Sequence, residues 1–460
     1  MMKKCDIAVY GLGVMGSSLA RNMLAQGIDV CTYSKNREER ERFVNVTNAQ
    51  MVVDDVSLMI ATLRKPRKIF LMITAGKPVD IVIDELFPLL EAGDIIIDGG
   101  NSHYEDTNRR CHLCDSKGIH FVGAGISGGE QGALKGPSMM IGGSKEGFMA
   151  CRNIFEQIAA HSEGRTCCIY AGSEGAGHYV KMVHNGIEYG ILQILSEIYY
   201  LMRYGLCLHH SEIIKIFESW KDSTLNSYLI DISILVLKAT AEDDSPLVER
   251  ILDRAEQKGT GMWTLHEGIK RQVYIPTIYE AVAARSFSAQ QALREKGNKI
   301  LGTKTGKVEM AKPKDSLRNA LELGMLACYS QGLELIRQGS TDFDWKIDLS
   351  EVVVSWKSGC IIRSQMLKKI EVALEQPEPI ILSSLFDKEE LVFSLRECVS
   401  KVVMAGIPLP ALTSVLHYYD YHRMKIMPVG FIQGLRDCFG AHTYRRNDKD
   451  GVFHTEWKER

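Results

Sequence analysis

The feature that most constrains this chain is Gly11-Leu12-Gly13-Val14-Met15-Gly16, set directly after the apolar run Ile7-Ala8-Val9-Tyr10. Alone, G-x-G-x-x-G is a weak pattern. Here a strand-like run precedes it, a helix-forming stretch follows, and a second β-rich run, Asp29-Val30-Cys31-Thr32-Tyr33, ends about 20 residues on. The glycines allow a tight turn and close approach of a pyrophosphate. The helix N-terminus adds free N–H groups and the positive end of its dipole. Gly11, Gly13, Val14, Met15 and Gly16 are therefore candidate cofactor contacts.

The alternation of short apolar runs and helical stretches continues. Ile69-Phe70-Leu71-Met72-Ile73, Ile95-Ile96-Ile97, Ile119-His120-Phe121-Val122, Met139-Met140-Ile141 and Cys168-Ile169-Tyr170 read as strands, and Gly27 and Gly93 sit where helices should stop. Near-continuous apolar strands separated by helices predict a parallel sheet covered on both faces. From about Gly177 the strand punctuation disappears. Lys181 to Tyr204 reads as one long helix with Ile187, Ile191, Ile194, Leu195 and Ile198 on its apolar side, and helical periodicity continues to about Asp437. The expected fold is an α/β Rossmann-type domain over 1–176, a large all-α domain over 177–434, and an extended polar tail over 435–460.

A chain of 460 residues exceeds one hydrophobic core. A net charge of -2 argues against a nucleic-acid or membrane-surface role, and no uninterrupted apolar run reaches membrane-spanning length. The start runs from Met1-Met2-Lys3-Lys4 into the first strand without a signal-peptide pattern, and the 12 cysteines follow no framework. A cytoplasmic protein with reduced thiols is expected. Cys111 and Cys114 form a lone C-x-x-C in a helical context, with no second pair at zinc spacing, so no metal site is expected.

Selectivity among dinucleotides is written after the second strand. NAD sites usually place an acid there to bind the ribose 2′-hydroxyl. This chain has Tyr33-Ser34-Lys35-Asn36-Arg37, with two cations and no acid. Ser34, Lys35 and Arg37 would stabilise a 2′-phosphate through charge-assisted hydrogen bonds, which favours NADP. The competing reading is that Lys35 and Arg37 merely begin a solvated helix continuing through Glu38-Glu39-Arg40.

Three further clusters carry chemistry. Asp98-Gly99-Gly100-Asn101-Ser102 follows a strand at its carboxyl end, where open α/β sheets bind ligands. Ser127-Gly128-Gly129-Glu130 follows the next strand and offers backbone N–H groups to a carboxylate. In Lys181-x-x-His184-Asn185-x-x-Glu188-Tyr189, spacings of three, four and seven place Lys181, His184, Asn185 and Glu188 on one helical face.

With these clusters the chain resembles the decarboxylating 6-phosphogluconate dehydrogenase family from Ile7 to about Trp457. The likeness extends to Gln257-Lys258-Gly259-Thr260-Gly261 with Trp263-Thr264, Glu280-Ala281-Val282 ending at Arg285, and Arg436-Asp437 with Phe439-Gly440-Ala441-His442-Thr443-Tyr444. The smaller 3-hydroxyacid dehydrogenases share the first three clusters but lack the long helical domain and the tail. The resemblance implies oxidation of 6-phosphogluconate by NADP, loss of carbon dioxide and release of ribulose 5-phosphate, within the pentose phosphate pathway and gluconate utilisation. It implies Lys181 as general base and Glu188 as the acid that protonates C1, with Asn185 beside them. It implies Asn101, Ser127, Gly128, Gly129, His184 and Asn185 around the carboxylate and hydroxyls. Tyr189, Thr264, Arg285 and Arg436 would hold the phosphate, with His442 near the sugar. Met72, Ile73, Thr74 and Asn101 would complete the cofactor side. Arg436 and His442 would come from a partner subunit's tail, making the enzyme an obligate homodimer.

Two positions depart from the family pattern. Met262 stands where the family keeps a phosphate-binding lysine, a loss of about 1.5–3 kcal/mol, or roughly 10- to 150-fold in binding. Thr74 stands where a lysine is common on the cofactor side. Lys258 is a candidate substitute cation. The alternatives left open are a diverged paralogue acting on another sugar acid, phosphorylated or not, and an idle NADPH-binding regulatory protein.

Overall fold

The computed structural model describes residues 4–47, 51–256, 259–302 and 306–457. They divide into two compact units, Met1–Leu416 and His417–Arg460.

The first unit opens on a twisted eight-stranded sheet. Its strands are β1 (Ile7–Tyr10), β2 (Val30–Tyr33), β3 (Val52–Val53), β4 (Lys68–Leu71), β5 (Ile95–Asp98), β6 (His120–Ser127), β7 (Ser138–Gly143) and, after the small hairpin β8 (His161–Ser162) and β9 (Arg165–Thr166), β10 (Cys168–Gly172). The order is β10-β7-β6-β5-β4-β1-β2-β3. The chain reverses its direction of travel across the sheet between β1 and β4, so a crevice opens at their carboxyl ends. The helices interleaved with the strands are α1 (Val14–Ala25), α2 (Arg37–Thr47), α3 (Val56–Ala61), α4 (Lys77–Leu86), α5 (Tyr104–Asp115), α6 (Gly129–Lys135) and α7 (Lys145–Ile158). One face of the sheet buries Val9, Phe70 and Ile97 against Leu19 and Met23 of α1 and Phe155 of α7. The other buries Ala8, Ile69 and Ile96 against Met59, Val79, Ile83 and Cys111.

The sheet departs from the all-parallel expectation at one place: β7 runs antiparallel to β6. The link between them holds only residues 128–137, and a parallel crossover needs about a dozen or more. Strand β6 also runs on through Ser127, beyond the expected end at Val122, because its second half pairs with β7. Strand β4 ends at Leu71, so Met72 and Ile73 leave the ladder and run beside the glycine loop.

The helical layer begins with α8 (Ala176–Tyr200), then α9 (His210–Ser219), α10 (Tyr228–Lys238), α11 (Thr260–Lys270), α12 (Pro276–Ser288), α13 (Gln291–Leu301), α14 (Pro313–Asp342), α15 (Leu349–Trp356), α16 (Met366–Ala373), α17 (Glu389–Met404) and α18 (Pro410–Arg423). Helix α8 is the hub, packing against β6, β7, α11, α12 and α14. It is α-helical only to Tyr200; Leu201–Gly205 form a wider π turn, closed by Leu206 N–H donating to the Leu201 carbonyl at 2.8 Å. Its start lies flat on the sheet backbone. A Cβ on Gly177 would fall 2.5 Å from the Gly142 nitrogen, and one on Gly125 would fall 2.5 Å from the Lys181 Cβ. That close approach sets Lys181 against β6.

In the second unit the expected extended tail from Leu435 is helical at its start. Helix α19 (Val429–Gly440) carries the chain to Ala441, which turns left-handed at φ 52°. Asp437, fully buried, accepts hydrogen bonds from the backbone N–H of Thr443 and Thr455, from His454 Nδ1 and from Trp457 Nε1, all at 2.9–3.0 Å. These four donors hold its carboxyl well below the usual range and fold the tail back in a turn bridged at Tyr444 and Phe453. Among the described residues no helix is long and apolar enough to cross a membrane.

Candidate active site

A cavity of about 850 Å³ opens beside the carboxyl ends of β4, β5 and β6 and is walled by α8, α11 and α12. Its lining includes Met15, Ile73, Thr74, Asn101, Ser127, Gly128, Gly129, Lys181, Asn185, Glu188, Tyr189 and Arg285. Residues from the cofactor and catalytic clusters thus share one space.

The glycine loop fits a dinucleotide. Gly11 has φ 105°, and a Cβ there would fall 2.4 Å from the Met72 carbonyl oxygen; one on Gly16 would fall 2.0 Å from the Gly11 carbonyl oxygen. Gly13 is different: a Cβ there meets only Glu39 Oε1, at 4.0 Å. The outer glycines are needed for the turn itself, while the middle one leaves backbone open to a ligand. Helix α1 starts at Val14 with no side-chain cap and no acid in its first turn, so its N–H groups face outward unclaimed.

At the end of β2, Lys35 pairs with Glu85 at 3.0 Å and Arg37 with Glu41 at 2.7 Å. Ser34 donates to Glu39 Oε2 at 2.6 Å, and Arg40 donates to the Ser34 carbonyl at 2.5 Å. An acid therefore does stand at this strand end. It arrives from the first turn of α2, where the residue order made it look like part of a solvated face.

The Asp98–Ser102 turn is built by its own first residue. Asp98 accepts from Gly100 N–H at 3.0 Å and Ser102 Oγ at 2.6 Å, with Arg110 Nη1 at 3.4 Å. Arg110, fully buried, also reaches Asp80 and the Gly76 carbonyl. This network leaves Asn101 exposed at the cavity wall.

On α8, Lys181 Nζ donates to Asn185 Oδ1 at 2.9 Å. The same oxygen lies 3.2 Å from His184 Nδ1, and His184 Nε2 lies 3.1 Å from Ser127 Oγ. An amide oxygen only accepts, so His184 carries its proton on Nδ1 and its Nε2 accepts from the Ser127 hydroxyl. Burial, and then the Lys181 charge, push the His184 pKa well below its usual value, so the ring is neutral. Burial likewise lowers Lys181, opposed by the Glu188 charge. Burial raises Glu188, opposed by Lys181 and Arg285. Burial thus draws the two groups' titrations toward each other, the amine downward and the carboxyl upward. Two turns of one helix hold both. Arg285 lies over the Tyr189 ring, 3.5 Å from its centroid, a cation on an aromatic face at the cavity wall.

Not every predicted contact lines the cavity. His184 is fully buried behind Ser127 and touches it through Nε2. Thr264 is also fully buried; its hydroxyl donates to the Met182 and Thr260 carbonyls at 2.9 and 3.0 Å, and its methyl side packs on Gly186. Thr264 thus joins α11 to α8 and does not line the cavity. Met262 packs on Tyr189, Ala281 and Val282. Lys258, named as a substitute cation, lies outside the described residues. Arg436 and His442 belong to the second unit, where Arg436 bonds Gln433 and His442 meets the Phe439 ring edge-on. Thr260 and Trp263, from the motif after Gln257, also line the cavity, as do His103, Asp106, Glu256 and Ile361, which the sequence did not single out. The C-x-x-C of α5 is buried and burial raises both thiols, Cys114 to about 12, so neither is a ready nucleophile. Among the described residues no group of three or more His, Cys, Asp or Glu is placed to hold a metal ion.

Comparison with known proteins agrees with this layout. Residues 6–172 match the NAD binding domain of 6-phosphogluconate dehydrogenase, and residues 177–457 match the 6-phosphogluconate dehydrogenase C-terminal domain. The chain is 42% identical to an NADP(+)-dependent, decarboxylating 6-phosphogluconate dehydrogenase of Bacillus subtilis, covering 99% of this chain and 100% of that one. It is 43% identical to the decarboxylating enzyme of Mus musculus, covering 99% and 97%. The Plasmodium falciparum 6-phosphogluconate dehydrogenase, solved in its apo form and in complexes with NADP+ and 6-phosphogluconate, superposes with a TM-score of 0.95 at 36% identity over 98% of this chain and 100% of that one.

Proposed function

Because the chain belongs to the 6-phosphogluconate dehydrogenase family, we infer that it oxidises and decarboxylates 6-phosphogluconate to ribulose 5-phosphate with reduction of NADP. The observation that carries this reading is the Lys181–Asn185–Glu188 array facing the glycine-loop cavity, where burial lowers the amine and raises the carboxyl. NADP, held by Gly11, Gly13, Val14, Met15, Gly16, Ser34, Lys35, Arg37, Met72, Ile73, Thr74 and Asn101, accepts the hydride. Neutral Lys181 removes the proton from the substrate 3-hydroxyl, aided by the amide of Asn185, which fixes its amine. The product is a β-keto acid. As its carboxylate leaves as carbon dioxide, protonated Lys181 steadies the negative charge developing on the C3 oxygen. Glu188, whose carboxyl burial raises above its usual value, delivers a proton to C1 of the enediol. The Ser127 hydroxyl, committed as a donor to His184, turns its lone pairs toward substrate hydroxyls. The backbone N–H groups at Gly128 and Gly129 and the amide of Asn101 orient the carboxylate. Arg285, stacked on Tyr189, serves the phosphate.

The domain assignment is 1–176 for the nucleotide, 177–434 for substrate and dimerisation, and 435–460 for a tail that completes the site. The boundary at 176 is supported by α8, which begins at Ala176. A homodimer in which Arg436 and His442 enter the partner site is supported by the apolar Phe431, Ile432 and Phe439 exposed on α19, a face that suits burial against a second copy. The scattered free cysteines, ten of them buried, suit a cytoplasmic enzyme.

The test is a panel of phosphorylated and unphosphorylated aldonates with NADP and NAD, following reduced cofactor and carbon dioxide together. Equimolar release of both from 6-phosphogluconate is expected. Reduction without carbon dioxide, or turnover confined to unphosphorylated acids, would overturn the reading.

A further inference from the structure

We propose that Glu39 is a specificity-determining residue that weakens discrimination against the cofactor lacking a 2′-phosphate, so that the enzyme accepts NAD alongside NADP. The proposal rests on the assignment of the glycine loop to a nicotinamide dinucleotide. Its own basis is the arrangement at the end of β2.

The Ser34 hydroxyl, at the first position after that strand, is already donated to Glu39 Oε2 at 2.6 Å. The other carboxylate oxygen, Oε1, stands 4.0 Å from where a Gly13 Cβ would be. Glu39 thus fills the space between the middle glycine of the turn and the strand end. In an open α/β site that is where the adenosine ribose presents its 2′ substituent, and where an acid selects a hydroxyl. A 2′-hydroxyl can donate to Glu39. A 2′-phosphate cannot, and it meets a like charge there. It also finds the Ser34 proton turned away from it.

The cations do not offset this freely. Lys35 is paired with Glu85, Arg37 with Glu41, and Arg40 is directed at the Ser34 carbonyl. Each keeps further N–H donors for a phosphate, but the charges of Lys35 and Arg37 are already partly offset by a carboxylate. The site retains the donors for NADP while presenting the acceptor for NAD.

The experiment uses the full-length protein and reads binding apart from turnover. Dissociation constants for NADPH and NADH are measured by fluorescence titration in the wild type, Glu39→Gln and Glu38→Gln, with melting curves to confirm folding. Glu39→Gln keeps the volume and a hydrogen-bonding group for Ser34 but removes the charge. We expect it to tighten NADPH, weaken NADH and change their ratio by about tenfold or more, the size of one charge-assisted hydrogen bond. Glu38, exposed on the same helical turn, should leave the ratio within about twofold as a control for general charge effects. The ratio of NADP to NAD in kcat/KM should move with the binding ratio. An unchanged ratio in Glu39→Gln, or an equal change in Glu38→Gln, overturns the proposal. Failure of wild-type protein to bind either nucleotide would instead overturn the cofactor assignment beneath it.

Discussion

Among single side chains, Lys181 and Glu188 carry the most chemistry and are the most exposed to test. Replacing Lys181 by Met should lower kcat by at least about 10²–10⁴-fold, the usual worth of a positioned base, while the Kd for NADPH stays near wild type. Rapid-quench and binding assays on one preparation would separate the two. The pH response has a definite sign. As the proposed base Lys181 would work when neutral, so the rate should rise with pH through its burial-lowered pKa. The Glu188 charge opposes that lowering. Glu188→Gln removes the opposing charge, so the Lys181 pKa should fall further and the acid limb of the residual hydride-transfer rate should move to lower pH. A shift to higher pH would contradict the coupling. The sequence displayed this pair because a helical spacing of seven makes its own geometry. It could not display that His184 and Thr264 are buried away from the cavity. A residue type and an index do not say whether a side chain points into a cavity or into the neighbouring helix. Glu39 was hidden for a related reason: it follows β2 in the chain by a helical turn, yet folds back onto it.

Among elements, the turn after β5 and the seat of α8 decide whether the site exists. Asp98 and Arg110 are both fully buried, and each satisfies the other within a larger network. Arg110→Met would leave Asp98 and Asp80 short of a partner. Loss of one member of a buried ion pair costs about 3–5 kcal/mol, which urea unfolding would read directly; KM for the sugar acid should rise as Asn101 loosens. The approach of α8 to β6 allows a second prediction. Gly125→Ala would force its new methyl against the Lys181 Cβ at 2.5 Å, so kcat should fall more than cofactor affinity. Strands and the long helix were legible from apolar runs and 3.6-residue periodicity. The reversed strand β7 was not, because direction is set by the length of the connecting segment and not by strand composition. Helical periodicity was legible to about Asp437, and α19 ends only three residues later, at Gly440.

For the whole molecule, the open question is whether two chains build each site. If Arg436 and His442 act in trans, mixing inactive Lys181→Met with inactive Arg436→Ala under subunit-exchange conditions should restore about one quarter of the wild-type sites, since each mixed dimer holds one intact combination. No recovery would place the tail in its own subunit's site. The Rossmann-plus-helical architecture came through in the sequence because the change of periodicity near Gly177 is abrupt. The assembly did not, because an exposed apolar helix face names no partner by itself. One feature ties the levels together. Helix α8 is rooted in the nucleotide-binding sheet and runs unbroken through the helical layer, with base and acid seven residues apart, roughly 10 Å along its axis. It behaves as a gauge bar. The backbone spacing of the two proposed proton-carrying positions is therefore set by one helix, and where a substrate lies along that bar decides which of them it meets.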